Sequence, residues 1–507
     1  MQYVFKMKQT LWALALLAAA AFAGCQKEKD GQLPNQKPET TATLRAITLA
    51  DDDYLVSSVA ISWSGTDGDG FVKAYELSTD GQSWSRVTRT DSLIRFSFTT
   101  PSPTQVITLR VRAIDNQGGV DDTPAELLLP IKNQPPVAIF RASDVPYTDT
   151  VLFALTLPTR VTDPDGNETL DSVLIRCNGG SWVNLPKNTT VLTFIAENPD
   201  MAGAQPARIY RNGPNELLPV RLEGFVVEGR NTFEITATDI ARSRSPIGQI
   251  LNAGGQQVGF YVRRKTADLL VIDNNTSTSP SPEATYFPIL AQVAPQYDYV
   301  DFNRAKGSNQ PRFFNVSMPL VLRLYPRVFW YMDDSRGSTG NRSDTTSIIL
   351  ETAAPLLARY LEEGGKLLLT TRLPDFTSRL PPDARSFGLI PADSLYQGNG
   401  QVKIKSRAVF NPLISDLPTL VNLRVSSGGG TIDGADVFKP SPLATPIYQV
   451  DSAAVAGVTP YRTIAARRNG SNGRPNFYFF SVELNRLSDN PAMLQQLFYK
   501  VLIQDFQ

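Results

Sequence analysis

Residues 108–115 read TLRVRAID, and residues 232–239 read TFEITATD. In both stretches apolar and polar side chains alternate until an aspartate is reached. Alternation with a period of two residues is typical of a β-strand that packs one face against a core. The pattern and its echo therefore predict two similar β modules.

Other features of the two stretches repeat in the same order. Residues 67–70 (DGDG) are echoed by residues 163–166 (DPDG), and residues 80–84 (DGQSW) are echoed by residues 178–182 (NGGSW). Short apolar segments separated by Asp, Gly, Ser and Pro are typical of a β-sandwich. We therefore predict that the two modules arose by internal duplication.

A proline-rich segment, residues 133–136 (NQPP), divides the two copies and is typical of a stiff boundary. The second copy is longer, because a polar insertion lies around residues 197–216. We predict one sandwich over residues 44–132 and a second over residues 135–265.

The modules resemble the fibronectin type III or immunoglobulin-like modules of bacterial surface proteins. The resemblance rests on a Trp-x-Gly-x-Asp-x-Asp-Gly start, which is present at Trp63, Gly65, Asp67, Asp69 and Gly70. It implies that the modules act as spacers or adhesive units.

The aspartate pairs of these loops also offer oxygen ligands that suit calcium. They are Asp67 with Asp69, and Asp163 with Asp165. The twelve-residue calcium loop needs further oxygens and a distal glutamate, which neither loop shows. Asp and Gly are also the residues that tight turns require for backbone reasons. We therefore interpret the loops as turns and expect no cofactor, with a weak calcium site as the alternative.

Beyond residue 266 the pattern changes to alternating strands and helices. Residues 267–273 (ADLLVID) are an almost continuous apolar run, which is typical of a strand buried on both faces. Similar runs occur at residues 327–332 and 366–371, with helical periodicity over residues 345–363 between them. The alternation predicts an α/β domain with a mostly parallel sheet over residues 267–507.

Residues 360–369 (YLEEGGKLLL) resemble class I glutamine-amidotransferase-like domains, which have a flavodoxin-like fold. In active members of that family a cysteine follows this strand, and a His-Pro-Glu sequence follows the last strand. Here residues 371–374 (TRLP) contain no cysteine, Ser481 takes the place of the histidine, and only Glu483 remains. The resemblance therefore implies the fold without its thiolate chemistry.

Open parallel sheets bind ligands beyond the carboxyl ends of their strands. Asp273, Asp333, Asp334 and Arg372 follow predicted strands, so we expect them at that edge together with Glu483. These five residues form a candidate site for a cation or a polar ligand. The alternative is that they cap helices and line turns.

Composition excludes several classes of function. The chain has no histidine, and its 49 basic residues balance its 49 acidic residues. Serine–histidine and cysteine–histidine pairs and imidazole metal ligands are therefore excluded. A zero net charge argues against a general nucleic-acid binder. One of the two cysteines, Cys177, lies in an apolar run and is predicted to be a buried structural thiol.

The first residues have the pattern of an export signal. Lys6 and Lys8 precede an apolar run over residues 11–23, which as a helix spans about 20 Å and is too short for a membrane core of ~30 Å. Phe22-Ala23-Gly24-Cys25 resembles the lipobox of bacterial lipoproteins. The resemblance implies removal of residues 1–24 and acylation of Cys25, whereas the alternative is cleavage nearby and release of the chain. Residues 25–43 are polar and are predicted to be a flexible tether, similar to the surface-export signal of Bacteroidota lipoproteins.

We therefore predict a multidomain protein with two immunoglobulin-like sandwiches and an α/β amidotransferase-like domain. It is expected to be anchored by lipid to the outer membrane, displayed at the cell surface, and non-catalytic. Its expected partner is a protein or a glycan of the envelope. The rival functions are a carboxylate- or metal-dependent envelope hydrolase and a structural component of a secretion or gliding assembly. A carboxylate cluster in a deep pocket would favour the hydrolase, whereas a broad apolar patch would favour a protein partner.

Overall fold

A computed structural model describes most of the chain and divides it into two compact units. The described residues are 34–46, 49–51, 54–97, 104–141, 150–275, 281–302, 314–332, 350–371, 389–395, 402–405, 407–421, 431–435, 437–451, 455–456, 461–487 and 489–507. Unit 1 comprises the residues up to Pro135 with Asp163–Thr169 and Asp239–Ser243, and unit 2 comprises the remainder. Cys25, Asp333, Asp334 and Arg372 lie outside the described residues. Among the helices that are described, none is long and apolar enough to span a membrane.

The first module is a β-sandwich. Its strands are β1 (Glu39–Leu44), β2 (Leu49–Asp51), β3 (Tyr54–Leu55), β4 (Ser58–Thr66), β5 (Val72–Ser78), β6 (Ser85–Val87), β7 (Asp91–Arg95), β8 (Thr104–Asp115) and β9 (Ala125–Lys132). One sheet has the order β1-β4-β7 and the other the order β2-β3-β9-β8-β5-β6. The predicted tether therefore ends earlier than residue 43, because β1 pairs with β4 along its whole length.

The alternation in β8 places its apolar side chains in the core of this sandwich, as predicted. Leu109, Val111 and Ala113 are buried, whereas Arg110 and Arg112 between them are half-buried. Trp63 packs in the same core with its ring edge against Tyr75, and its Nε1 donates to the carbonyl of Arg89 at 2.8 Å. The period of two thus fixes both the strand and its inward face.

The second module is also built from packed sheets. Its strands are β10 (Val137–Phe140), β11 (Thr150–Leu152), β12 (Ala154–Thr162), β13 (Leu170–Cys177), β14 (Val183–Leu185), β15 (Val191–Ala196), β16 (Gly203–Arg211), β17 (Leu217–Val227), β18 (Gly229–Asn231), β19 (Phe233–Asp239), β20 (Gly248–Gln249) and β21 (Phe260–Arg263). The sheet orders are β10-β12-β15-β16-β17, β14-β13-β19-β20 and β11-β21-β18. Most of these strand pairs are antiparallel, whereas β11 and β21 are parallel. The polar insertion predicted around residues 197–216 is a β-hairpin, because β16 and β17 pair across it.

Strands and helices alternate in the first part of the C-terminal region. The strands are β22 (Leu269–Asn274), β23 (Asp298–Asp301), β24 (Arg327–Met332), β25 (Lys366–Thr370), β26 (Ala392–Leu395), β27 (Val402–Lys405), β28 (Val409–Pro412), β29 (Leu420–Val421), β30 (Thr431–Ala435), β31 (Phe438–Pro440), β32 (Thr445–Val450), β33 (Val455–Ala456), β34 (Thr463–Asn469) and β35 (Pro475–Phe480). The helices are α1 (Pro282–Val293), α2 (Phe314–Leu322), α3 (Leu350–Glu362) and α4 (Pro491–Phe498), and a π-helical segment, Tyr499–Asp505, follows α4.

The sheet of this region is mixed rather than mostly parallel. Strands β23, β22, β24, β25 and β35 are parallel neighbours in that order. Antiparallel strands β34, β32, β28 and β29 continue the sheet from β35, and β31 pairs with β34 and with β26. The parallel strands match the predicted apolar runs. The region as a whole is richer in strands than predicted, because residues 392–469 form short strands rather than helices.

A glycine pair ends helix α3, as its sequence predicted. Gly364 has a φ of +94°, and the N–H of Gly365 donates to the carbonyl of Tyr360 at 2.9 Å. A Cβ at Gly365 would lie 2.3 Å from the Tyr360 ring, so only glycine fits. The turn directs the chain into β25.

The second sandwich and the C-terminal sheet share one hydrophobic core within unit 2. Phe153 lies in the left-handed region, with a φ of +41°, and its ring meets the Tyr325 ring edge-on at 5.5 Å. Nearby, the hydroxyl groups of Thr156 and Ser317 are 2.6 Å apart and buried. Residues from both sides of the boundary predicted at residue 266 therefore pack into one hydrophobic cluster, while each side also has a core cluster of its own.

We expect Phe153→Ala to lower the free energy of unfolding of unit 2 by about 3–5 kcal/mol, because it leaves a cavity in the shared core. Phe153 is 1% exposed and Phe71 is 64% exposed, so Phe71→Ala is the matched control and should change stability by about 0.5 kcal/mol or less. Urea denaturation followed by circular dichroism measures both. Equal losses in the two variants would contradict a shared core.

Candidate functional site

Buried polar side chains gather at the carboxyl ends of the parallel strands. Asp273 and Asn274 close β22, Thr371 follows β25, and Ser481 follows β35. All four residues are at most 1% exposed. Each stands directly after an apolar run, so the sequence that buries the strand also carries a polar group to the edge of the sheet.

The carboxylate of Asp273 is fully paired within this edge. Its Oδ1 accepts from the N–H of Asn275 at 2.9 Å, and its Oδ2 accepts from the hydroxyl group of Tyr299 at 3.0 Å. The carbonyl of Asp273 accepts from the N–H of Phe302 at 2.7 Å. These bonds hold the end of β22 against the end of β23.

Three tyrosines surround this carboxylate. Burial raises the pKa of Tyr299 and Tyr331 far above the usual value, and the negative charge of Asp273 raises both pKa values further. Burial likewise raises the pKa of Tyr286, and the charges of Glu483 and Asp273 add to the effect. All three hydroxyl groups are therefore protonated at neutral pH and cannot act as bases.

The segment after β35 is fixed to the same edge. The hydroxyl group of Thr370 donates to the carbonyl of Val482 at 2.6 Å and accepts from the N–H of Leu484 at 3.1 Å. The N–H of Asn485 donates to the Tyr286 hydroxyl at 2.9 Å. Glu483 is 3% exposed and pairs with Arg486 at 3.2 Å.

Ser481 does not replace the missing histidine. Its hydroxyl group donates to the carbonyl of Ile464 at 2.9 Å, and the residue is completely buried.

The structure brings Asp273 and Glu483 into one electrostatic environment, since both raise the pKa of Tyr286. Asp333, Asp334 and Arg372 lie outside the described residues. Sequence reasoning missed the three tyrosines and Asn485. Each tyrosine has an apolar neighbour in the sequence, so the sequence alone does not distinguish it from an ordinary core residue.

The weak calcium candidates lie in unit 1. The N–H of Asp165 donates to Asp163 Oδ1 at 2.9 Å, and the N–H of Asp69 donates to Asp67 Oδ1 at 3.4 Å. Both loops thus form the turns that the sequence predicted. They also contact asparagines that the sequence analysis did not select.

Two surface depressions are lined by other residues. One, of about 560 Å³, is lined by residues of β1, β4 and the start of β7, including Trp63 and Asp91. The other, of about 450 Å³, is lined by residues of α3, β34 and β35, including Arg468 and Asn476. Neither includes Asp273 or Glu483.

No protein-family model and no curated protein matches the chain. Among solved structures, the PKD1 domain of Vibrio anguillarum Epp is similar at 16% identity and a TM-score of 0.15, over 19% of this chain and 99% of that one. The fibronectin(III)-like modules of Clostridium thermocellum CbhA are similar at 14% identity and a TM-score of 0.16, over 44% and 94%. A Bacteroides ovatus protein, SGBP-B of a mixed-linkage glucan utilization locus, solved with a mixed-linkage heptasaccharide, is similar at 14% identity and a TM-score of 0.15, over 48% and 51%. The description of the two modules as β-sandwiches rests on their own strand pairing.

We expect Tyr299→Phe to destabilise unit 2 by about 1–3 kcal/mol, because it leaves a buried carboxylate oxygen without its donor. Tyr261→Phe is the matched control. The Tyr261 hydroxyl donates to Glu228 at 2.8 Å at the surface, so its loss should cost less. Urea denaturation at pH 7 compares the two, and an equal or larger loss in Tyr261→Phe would contradict a buried bond.

Alkali provides a further test of the same group. The folded pKa of Tyr299 is raised above its ordinary value of 10.0, so the folded chain holds this proton when the unfolded chain has released it. Stability is therefore retained below about pH 10 and falls as the pH rises above it. We expect a smaller fall between pH 10 and pH 12 in Tyr299→Phe than in the wild type.

Proposed function

We propose that the chain is a lipid-anchored, non-catalytic binding protein of the bacterial cell envelope, and that its binding site is the carboxyl edge of the parallel strands. One observation carries the proposal. This edge keeps buried hydrogen-bonding groups around Asp273 but has neither a thiol nor an imidazole for amidotransferase chemistry.

The single cysteine outside the predicted lipidation site cannot supply that chemistry. Burial raises the pKa of Cys177 to about 12, and its Sγ lies 3.6 Å from Asn231 Oδ1 within the second sandwich. A protonated, buried thiol is a poor nucleophile. This supports a binding role rather than a hydrolytic one.

The strand order supports an amidotransferase-like, flavodoxin-like origin for the parallel half of the sheet. Numbered along the chain, the five parallel strands lie in the order 2-1-3-4-5, which is the flavodoxin-like order. The antiparallel strands after β35 are an extension of that plan. Ligands of such sheets bind at the crevice between strands 1 and 3, which here are β22 and β24.

The chemistry of the edge favours a partner that carries hydrogen-bonding groups. Tyr331 has a buried hydroxyl group with no hydrogen-bond partner in the described part of the chain, and a hydroxyl group can both donate and accept. Sugar hydroxyl groups and protein backbone groups can both bond to such a hydroxyl. We therefore propose an envelope glycan or protein as the partner.

The anchor is the remaining part of the proposal. Cys25 lies outside the described residues, and its support is the likeness of Phe22-Ala23-Gly24-Cys25 to a lipobox. Two or three acyl chains, at ~0.8 kcal/mol per buried methylene, would make a stable anchor. We propose the outer membrane and the cell surface as the location.

Mass spectrometry of the membrane fraction should find an acylated Cys25 as the mature N-terminus. Cys25→Ala should remain unprocessed, whereas Cys177→Ala, the matched control, should be processed and acylated normally. An unmodified N-terminus at another position in the wild type would contradict the anchor.

The purified full-length chain should release no ammonia from glutamine above the rate of a Cys177→Ala variant. The reason is that a thiolate and a proton shuttle are needed together. Turnover that is abolished by Asp273→Asn or Glu483→Gln would contradict the binding role and would favour the carboxylate-dependent hydrolase.

A further inference from the structure

Each β module carries a matched cluster of oxygen atoms, and both clusters lie in unit 1. Cluster 1 consists of Asn35, Asp67, Asp69 and Asp115, and cluster 2 consists of Asn133, Asp163, Asp165 and Asp239. In each cluster the asparagine precedes the first strand of the module, two aspartates belong to the Asp-x-Asp-Gly loop, and the last aspartate ends a long strand.

The same hydrogen bonds join the members of both clusters. The asparagine Nδ2 donates to the last aspartate at 2.6 Å in cluster 1 and at 2.7 Å in cluster 2. The next backbone N–H, of Gln36 or Gln134, donates to the second loop aspartate at 3.1 Å in both. The two modules differ in length and in most side chains, so the retained arrangement points to a shared role.

Several oxygens of these clusters are buried without a hydrogen-bond donor. In cluster 2 they are Asn133 Oδ1, Asp163 Oδ2 and Asp165 Oδ1, and the three residues are 3%, 6% and 5% exposed. The Asn133 amide cannot be turned round, because its Nδ2 faces the carboxylate of Asp239 and the Ser243 hydroxyl, at 2.7 Å and 2.8 Å. These oxygens can only accept hydrogen bonds, so a neighbouring acceptor atom cannot pair with them.

Cluster 2 concentrates negative charge without a neighbouring cation. Among the described residues, no lysine or arginine forms an ion pair with Asp163, Asp165 or Asp239. Burying a charged carboxylate is costly unless the carboxylate is paired, hydrogen-bonded or bound to a metal ion.

In cluster 1 the backbone of a loop glycine lies close to the oxygens. A Cβ at Gly70 would lie 2.2 Å from Asn116 Oδ1 and 2.6 Å from Asp67 Oδ2. Asp67 Oδ2 and Asn35 Oδ1 are both buried and have no donor among the described residues. A side chain at position 70 would clash with Asn116 and Asp67, so this close approach requires glycine.

The ligand chemistry identifies the class of ion. No group of three or more Asp, Glu, His or Cys side chains in the described part of the chain could hold a metal by itself, so amide and backbone oxygens must complete any shell. Mixed carboxylate, amide and carbonyl oxygens are the ligands of calcium, which takes six to eight of them and tolerates irregular geometry. Zinc prefers nitrogen and sulfur, and magnesium demands a regular octahedron.

We propose that clusters 1 and 2 each bind one calcium ion through the asparagine Oδ1 and the free carboxylate oxygens of the loop aspartates. The ion replaces the missing donors and neutralises the buried charge. It also ties the segment before each module to the Asp-x-Asp-Gly loop and to the end of the long strand. The inference does not depend on the proposed binding function of the carboxyl edge.

Calcium chloride should stabilise the chelator-treated full-length chain. Sites made of oxygen ligands in extracellular modules bind calcium with Kd values of about 10⁻⁴–10⁻³ M, so 10 mM calcium should raise the Tm of unit 1 by roughly 3–10 °C. Equilibrium dialysis should find two bound ions per chain. Magnesium chloride at the same concentration controls for ionic strength and should raise the Tm much less.

Asp163→Ala should reduce the number of bound ions from two to one, and Asp67→Ala combined with Asp163→Ala should reduce it to zero. The matched control is Asp171→Ala, since Asp171 is an exposed aspartate on β13 of the same module and should keep both ions. If a cluster variant does not fold, the stoichiometry of the wild type and its preference for calcium over magnesium still decide.

No bound calcium and no shift in Tm at 10 mM would overturn the proposal. An equal shift with magnesium, or full retention of both ions in the double variant, would overturn it as well. A stoichiometry of one that only a single cluster variant abolishes would remove the other cluster from the proposal.

Discussion

In each module, the carboxylate of the aspartate at the end of the long strand holds the neighbouring segments in place by hydrogen bonds. Asp115 Oδ1 accepts from the N–H groups of Gln117 and Gly119, at 2.7 Å and 2.8 Å, and its Oδ2 accepts from Asn35. Asp239 has the equivalent position, with Ser243 N–H at 2.8 Å. A buried carboxylate must be paired, and its donors here are the N–H groups of the following turn and the asparagine amide of the segment before the module. One residue therefore fixes a turn and the entry of the chain together.

Sequence periodicity was sufficient to predict the position of strands that have one or two apolar faces. Residues 108–115 and the apolar runs at 267–273 and 327–332 were predicted in the correct places, because burial repeats along them with a period that a single sequence displays. The helix over residues 345–363 was predicted from its own periodicity, and the structure adds the reason for the glycines that follow it: a left-handed residue and a close ring contact leave glycine as the only choice.

Contacts between distant residues left no such pattern. Phe153 packs against Tyr325 across the boundary predicted at residue 266, and nothing periodic marks either residue as a partner of the other. The short strands between residues 392 and 469 carry too few residues each for alternation to stand out. Asn35 was assigned to a tether because its surroundings are polar, although its amide bonds to a buried aspartate. The signal was available, since Asn-Gln precedes both modules, but it consists of two residues only.

The C-terminal region combines two kinds of strand pairing in one sheet. Its five parallel strands lie in the order 2-1-3-4-5, and antiparallel strands extend the sheet from β35. Strands need only apolar runs, which many sequences satisfy, while catalysis needs particular side chains at particular points. The strand order and the chemistry of the carboxyl edge are therefore set by different residues.

The burial of Cys177 has a consequence for the chain in oxidising surroundings. Oxidation begins with the thiolate, and sulfenic acid formation and cross-linking between copies both require a sulfur that oxidants can reach. Cys177 is 0% exposed, its pKa is raised to about 12, and its Sγ is held beside Asn231. The sulfur is therefore shielded from the oxidation that links single thiols into disulfide-bonded dimers. The second module can thus keep an unpaired cysteine in its core without becoming cross-linked to another copy.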